Sequence, residues 1–312
     1  MTAYVVQRLL LAVLVVFGVS IVTFFLTFLS GDPAVLMLPP DASAEQIARF
    51  RSEWGFDRPI IVQYGNFLWR ALQGDMGTSL RHGTPALPLI AERLPATLQL
   101  TVTAMLLAVA LAIPLGVISA TQRGSPIDLL TMTVALVGQA VPNFWLSIMG
   151  ILLFSVTLGW LPTSGRGSVL HIVMPAGVLA IGLMALLTRL ARSTMLEVLS
   201  EDYVRTARAK GLREWVVLSR HALRNALIPL VTVIGLQFGY ILGGAVVIET
   251  VFTWPGVGLF TIQAISNRDY PVVQAAVLIL SSAVVLINLL VDLLYGVLDP
   301  RIRVQARREA VT

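Results

Sequence analysis

The sequence predicts an all-α membrane protein with six transmembrane helices and both termini cytoplasmic. Three observations predict it. Of 312 residues, 56% are hydrophobic and only 12% charged, the mean hydropathy is +0.83, and six separate runs reach the ~20 mostly apolar residues needed to cross ~30 Å of hydrocarbon as a helix. A soluble domain would be about a quarter charged. Cysteine is absent, which excludes disulfides and thiolate metal sites. In such a chain the net charge of +5 records membrane orientation rather than a nucleic-acid ligand.

Each element follows in chain order. Leu9 to Leu29 is the first span, within residues 1–30. It exceeds a signal-peptide core and no small-x-small cleavage site follows it, so a retained helix is expected. Residues 31–96 form an extracytoplasmic segment. In it Asp41-Ala42-Ser43-Ala44-Glu45 offers a helix start with an acidic first turn, and Ile60 to Leu72 is an aromatic-rich amphipathic run, so small surface helices are expected. The second span runs from Thr97 to Ile118 and the third from Leu129 to Leu158. The third is overlong and holds Pro142, which removes a backbone donor and clashes with the preceding turn, so a kink or break is expected. Pro114 and Pro175 carry the same implication in the second and fourth spans. Leu170 to Leu187, Leu227 to Ile248 and Val272 to Val291 complete a five-helix core over 97–298, followed by a cytoplasmic tail at 299–312.

Lys and Arg set the orientation. With the N-terminus inside, fourteen fall in inside segments and eight outside, the latter mostly in the long segment where the rule is weak. Residues 201–224, EDYVRTARAKGLREWVVLSRHALR, are then cytoplasmic and carry nine charged side chains besides His221. Tyr203 to Lys210 reads as a short helix with Val204 and Ala207 apolar and Gly211 as its stop. A second helix, from Glu214 to about Ala226, leads to Pro229 at the start of the fifth span. The small Ala207 and Ala209 suit insertion into a groove on a partner. The competing reading is a solvated basic loop that anchors topology against anionic membrane lipid.

Tyr203-Val204-Arg205-Thr206-Ala207-Arg208-Ala209-Lys210-Gly211, followed by His221-Ala222-Leu223-Arg224-Asn225-Ala226-Leu227-Ile228-Pro229, resembles the cytoplasmic EAA loop of binding-protein-dependent ABC importer permeases. It is most similar to the B-type subunit of the dipeptide, oligopeptide, glutathione and nickel permeases. Gly31-Asp32-Pro33, Gly74 to Ser79, Arg93 to Thr97, Pro142 to Trp145, Glu249 to Gly258, Asp269-Tyr270-Pro271 and Leu298-Asp299-Pro300-Arg301 extend the likeness along nearly the whole chain. Where the wider superfamily has Glu-Ala-Ala, this chain has Arg205-Thr206-Ala207, as the peptide-permease branch does.

The resemblance implies the type I ABC importer permease fold in the bacterial inner membrane, with a coupling loop at about 190–228. Tyr203, Arg205, Thr206, Ala207, Arg208, Ala209, Lys210 and Gly211 would sit in a cleft of an ATPase subunit, with Arg205, Arg208 and Lys210 making charge-assisted contacts. The implied partners are a second, homologous permease in a heterodimer, two ABC ATPase subunits and an extracytoplasmic solute-binding protein. ATP and Mg would lie on the ATPases, with no cofactor on this chain. The implied cargo is dipeptides or oligopeptides, with glutathione or a nickel chelate as the alternative.

Polar groups in hydrocarbon are costly and so are functional candidates. Gln139 and Asn143 beside Pro142, and Gln237 and Tyr240 in the fifth span, either line the translocation path or bond to neighbouring helices. Asn288 and Asp292 share one face of the sixth helix, and at its cytoplasmic end interhelical bonding or snorkelling, rather than ligand contact, is expected of Asp292. Phe252, Trp254 and Phe260 suit the interfacial aromatic belt, while the resemblance implies that the outer end of the fifth span, Gly243-Gly244 and Glu249 to Gly258, is an outer gate and docking region for a substrate-binding protein. His82, His171 and His221 show no metal-ligand spacing, so no metal centre is expected. No GxxxxGK[ST] occurs, and the single lysine, Lys210, precedes Gly211-Leu212, so ATP hydrolysis is expected of another polypeptide. An ion-coupled secondary transporter would place an ionisable residue mid-span, which none of these spans does. An intramembrane protease would need HExxH or paired aspartates, also absent.

Overall fold

The computed structural model describes residues 2–29, 32, 34, 35, 38 and 41–298, and these are mostly helical. Gly31, Pro33, Asp299, Pro300, Arg301 and the 299–312 tail lie outside the described residues. The chain divides into two compact units.

One unit comprises Met1–Ala96 and Pro255–Thr312. In it α1 (Thr2–Leu29) packs along α12 (Tyr270–Leu298). Arg8 reaches Asp292 between them at 2.9 Å, so of the two roles expected of that aspartate it takes interhelical bonding. Ser43 caps α2 (Ala44–Glu53): its hydroxyl accepts from the Gln46 N–H, and the Gln46 side chain accepts from the Ser43 N–H. The amphipathic run forms α3 (Ile60–Leu72), whose Tyr64 and Phe67 rings lie against Phe24 of α1. The start of α4 (Ala86–Thr121) and α11 (Val257–Ser266) share a core of Ala86, Ile90, Val257, Phe260 and Val272. That core explains why α4 begins well before the apolar run at Thr97. Its first turns are held by packing on α11 and α12 rather than by lipid, and Glu92 and Arg93 interrupt the hydropathy.

The other unit is Thr97–Trp254. The third apolar run is two helices, α5 (Pro126–Ala140) and α6 (Asn143–Gly150, continuing as a π-helical stretch Ile151–Thr157), bent by 101° at their junction. Val141 and Pro142 are extended, with ψ of 128° and 136°. Proline excludes the helical region for the residue before it and offers no N–H to the Gly138 carbonyl. The expected break is therefore present. Pro114 and Pro175 behave otherwise: α4 and α7 (Val169–Leu199) continue through them without interruption, as helices buried among others tolerate. Glu214–Val216 (α9) passes through a π-helical turn, Val217–Ala222, directly into α10 (Leu223–Val251), so Pro229 lies inside this helix and not at its start.

α7 packs on both α5 and α10. It also approaches α4 so closely that a Cβ on Gly116 would stand 2.4 Å from the Ala191 Cβ and 2.9 Å from the Thr188 carbonyl. By length and apolarity five described helices can cross a membrane, or six if the bent pair is one span.

Candidate functional site

Gln139, Asn143, Gln237 and Tyr240, picked from the sequence as isolated polar residues, line one cavity of ≈ 440 Å³ in the Thr97–Trp254 unit. The break at Val141-Pro142 forms one wall, with Gln139 ending α5 and Asn143 opening α6. Gly182 on α7 and Gly244 on α10 contribute to the other walls beside Leu179, Leu183, Leu186 and Ile241. Gly138 lies close against α7, where a Cβ would meet the Ile181 methyl at 3.0 Å. No charged side chain lines the cavity. Its polar surface consists of two carboxamides from glutamine, one from asparagine and a phenol, groups that both donate and accept hydrogen bonds.

One neighbouring charge escaped the sequence reading. Arg189, one of the fourteen Lys and Arg counted as inside and just past the apolar run Leu170 to Leu187, lies one turn beyond the cavity-lining Leu186 on α7. Its Nη2 donates to Gln139 Oε1 at 2.6 Å, while its Nε–H is buried without an acceptor. The i, i+3 spacing from Leu186 was the available signal. Three residues further on, Arg192 grips Asp128 at the start of α5 with two hydrogen bonds, Nε–Oδ1 at 2.6 Å and Nη2–Oδ2 at 2.8 Å. Ser119 of α4 and the Gly124 N–H also donate to Asp128. α5 is thus tied to α7 near both of its ends.

Phe252 and Trp254 are not belt residues: each is at most 2% exposed, inside the unit. The Gly165 N–H donates to the Phe252 carbonyl at 2.8 Å. Glu249, fully buried, accepts from the Thr97 hydroxyl at 2.6 Å. Phe260 is likewise buried, in the other unit.

The charged loop forms α8 (Asp202–Ala209), with Asp202 in its first turn and Arg208 in its last, where each complements the helix dipole. Val204 and Ala207 face inward and form a buried cluster with Val217. Ala207 is therefore small because of packing inside this chain. Tyr203, Arg205, Thr206, Ala209, Lys210 and Gly211 are exposed. Arg208 is held by Glu214 (Nη2–Oε1, 2.7 Å), whose hydrogen bond raises the guanidinium's pKa. The Tyr203 hydroxyl accepts from Asn225 Nδ2 at 2.7 Å, fixing α8 against α10. Gly211 adopts φ +74°, and its N–H closes on the Arg208 carbonyl at 2.9 Å, a left-handed helix stop that suits glycine. Trp215, passed over in the sequence, is 77% exposed beside this helix.

Comparison with known proteins follows the same lines. Residues 112–304 match the family described as binding-protein-dependent transport system inner membrane component, and residues 1–101 match its N-terminal model. The dipeptide transport system permease protein DppB of Alkalihalophilus pseudofirmus is 42% identical, covering 97% of this chain and 100% of that protein. The glutathione transport system permease protein GsiC of Escherichia coli K12 is 45% identical, covering 97% and 99%. Among solved structures, an inward-facing MetNI methionine ABC transporter matches with a TM-score of 0.55 at 19% identity, over 68% of this chain and 96% of that one. This last likeness concerns the fold alone.

Proposed function

Since the chain belongs to the family of binding-protein-dependent transport system inner membrane components, we propose that it forms half of the translocation pathway for short peptides in an ATP-driven importer of the inner membrane. Full-length similarity to dipeptide and glutathione permeases carries this reading. The amide-lined cavity supports it, because carboxamides can pair with peptide N–H and C=O groups in passing while offering no fixed charge to hold a zwitterion.

On this reading a second, homologous permease completes the pathway, two ATPase subunits supply ATP and Mg, and an extracytoplasmic binding protein delivers cargo. The exposed side of α8, with Arg205, Lys210 and the neighbouring Trp215, is the surface offered to an ATPase. Its internal bonds to Glu214 and Asn225 make it a stiff lever on α10, which lines the cavity through Gln237 and Tyr240. Closure of the ATPases would move α8 and thereby switch the cavity between inward and outward access.

The test is reconstitution of the chain with its neighbouring-gene partners in lipid nanodiscs and vesicles. Binding-protein-stimulated ATP hydrolysis with uptake of labelled dipeptide or glutathione is expected. Uptake driven by an ion gradient from this chain alone would overturn the reading in favour of a secondary transporter.

A further inference from the structure

A second polar cavity, of ≈ 370 Å³, lies in the other unit, and none of its lining residues belongs to the amide-lined cavity or to the charged loop. Arg81 and His82 enter it from the loop pinned by the isolated bridge between Thr78 and Pro85. Arg93 enters from α4, and Phe260, Gln263 and Asn267 from α11 and its end. The Arg93 guanidinium is stacked over the Phe260 ring, 3.9 Å from its centroid, and one of its N–H groups goes to the Leu89 carbonyl at 3.0 Å. Arg81 is held by the Asn267 side chain. Both cations are thus positioned before any ligand arrives. The one acid in the lining, Asp269, is 2% exposed and already accepts from the Ser79 hydroxyl and the Leu80 N–H. Glu92, 4.0 Å from Arg93, points to solvent and is not part of the lining.

We propose that this pocket is a carboxylate-binding site that receives an acidic side chain of the extracytoplasmic binding protein. The inference rests on the importer reading and its orientation, which puts residues 31–96 and the α11 end outside the cytoplasm. Two pre-placed guanidiniums with the Gln263 carboxamide beside them match a carboxylate in charge and in hydrogen-bond capacity, while the Asn267 side chain is engaged in holding Arg81 and in donating to the Gln263 carbonyl at 2.6 Å. Arg81, Gln263 and Asn267 are exposed, so a protruding side chain can reach them. A contact of this kind steers encounter and weakens with salt.

The experiment measures affinity of the binding protein for the complete assembly in nanodiscs at low and high salt. Arg81→Glu is expected to weaken it about tenfold at low salt and to flatten its salt dependence. Gln263→Glu, which adds a charge to the pocket without removing any side-chain bond, is expected to do the same, so loss of folding cannot mimic the result. Unchanged affinity in both variants would overturn the site. A raised half-saturation for free peptide with binding-protein affinity intact would also overturn it, by assigning the pocket to cargo. If the wild-type assembly neither binds nor responds to a binding protein, the importer reading fails and this inference falls with it.

Discussion

The Asp128 carboxylate and the Arg192 guanidinium meet fork to fork across α5 and α7, at 2.6 and 2.8 Å, although they lie 64 residues apart. The aspartate is only 7% exposed and the arginine 25%, so removing one partner strands the other in a poorly solvated place. Arg192→Ala is expected to lower stability by about 3 kcal/mol. Arg192→Lys keeps the charge but not the two-pronged geometry and should fall between. Thermal unfolding in detergent, followed by a tryptophan signal, checks the ranking. An Arg192→Ala protein that melts with the wild type would show that the pair contributes nothing.

The elements that the sequence made legible are those governed by local rules. The Ser43 cap, the bounds of α3, the stop at Gly211 and the break at Pro142 all depend on a few adjacent residues. What stayed hidden depends on partners distant in the chain. Arg189 looked like one more cytoplasmic positive charge until α5 brought Gln139 to it. Ala207 looked like a docking residue, and only the position of Val217 shows that it faces inward. Trp254 is of the residue type found in membrane belts, and only the folded chain shows it buried, with the Arg166 guanidinium 5.7 Å over its ring. The four polar candidates were each visible alone, but their convergence on one cavity required the 101° bend.

Gly116 marks the closest approach of α4 to α7. A methyl group there would overlap the Ala191 Cβ and press on the Thr188 carbonyl, so Gly116→Ala is expected to cost about 1–3 kcal/mol. Ala191→Gly should restore much of the loss, because it removes the atom standing at 2.4 Å. The backbone carbonyl remains, so recovery should be incomplete. A double-mutant cycle on thermal stability measures this coupling, and additive effects of the two substitutions would contradict the contact.

Gly211→Pro acts at the loop. Proline cannot adopt φ +74° and has no N–H for the Arg208 carbonyl. The variant should still insert and assemble, yet lose about tenfold or more of its uptake per ATP hydrolysed as α8 loses its anchor. Arg205→Glu and Trp215→Ala, on the exposed side, should instead weaken capture of the ATPase subunits, by roughly tenfold for an anchoring tryptophan. Ala207→Trp is a poor probe, since it forces an indole into the cluster with Val204 and Val217 and reports on folding. ATPase capture unchanged in both surface variants, with coupling intact in Gly211→Pro, would remove α8 from the transport cycle.

The cavity makes the last prediction, and it turns on polarity rather than shape. Gln237→Leu and Asn143→Leu keep approximate volume but delete donors and acceptors that a translocating peptide would use. A peptide amide entering the altered cavity would then be desolvated without a partner, a loss of ~1–3 kcal/mol for each hydrogen bond. Uptake is expected to fall ~10-fold in each, with binding-protein-stimulated ATP hydrolysis retained, because neither residue touches α8. Gln139→Leu should go further, since it also takes the acceptor from Arg189 and leaves a second N–H of that guanidinium unpaired beside the one at Nε. Arg189→Met in the Gln139→Leu background removes the stranded charge. If the Gln139 effect is electrostatic, the double variant should be more stable than Gln139→Leu alone, whereas no recovery of melting temperature would show that Gln139 acts only through contact with cargo.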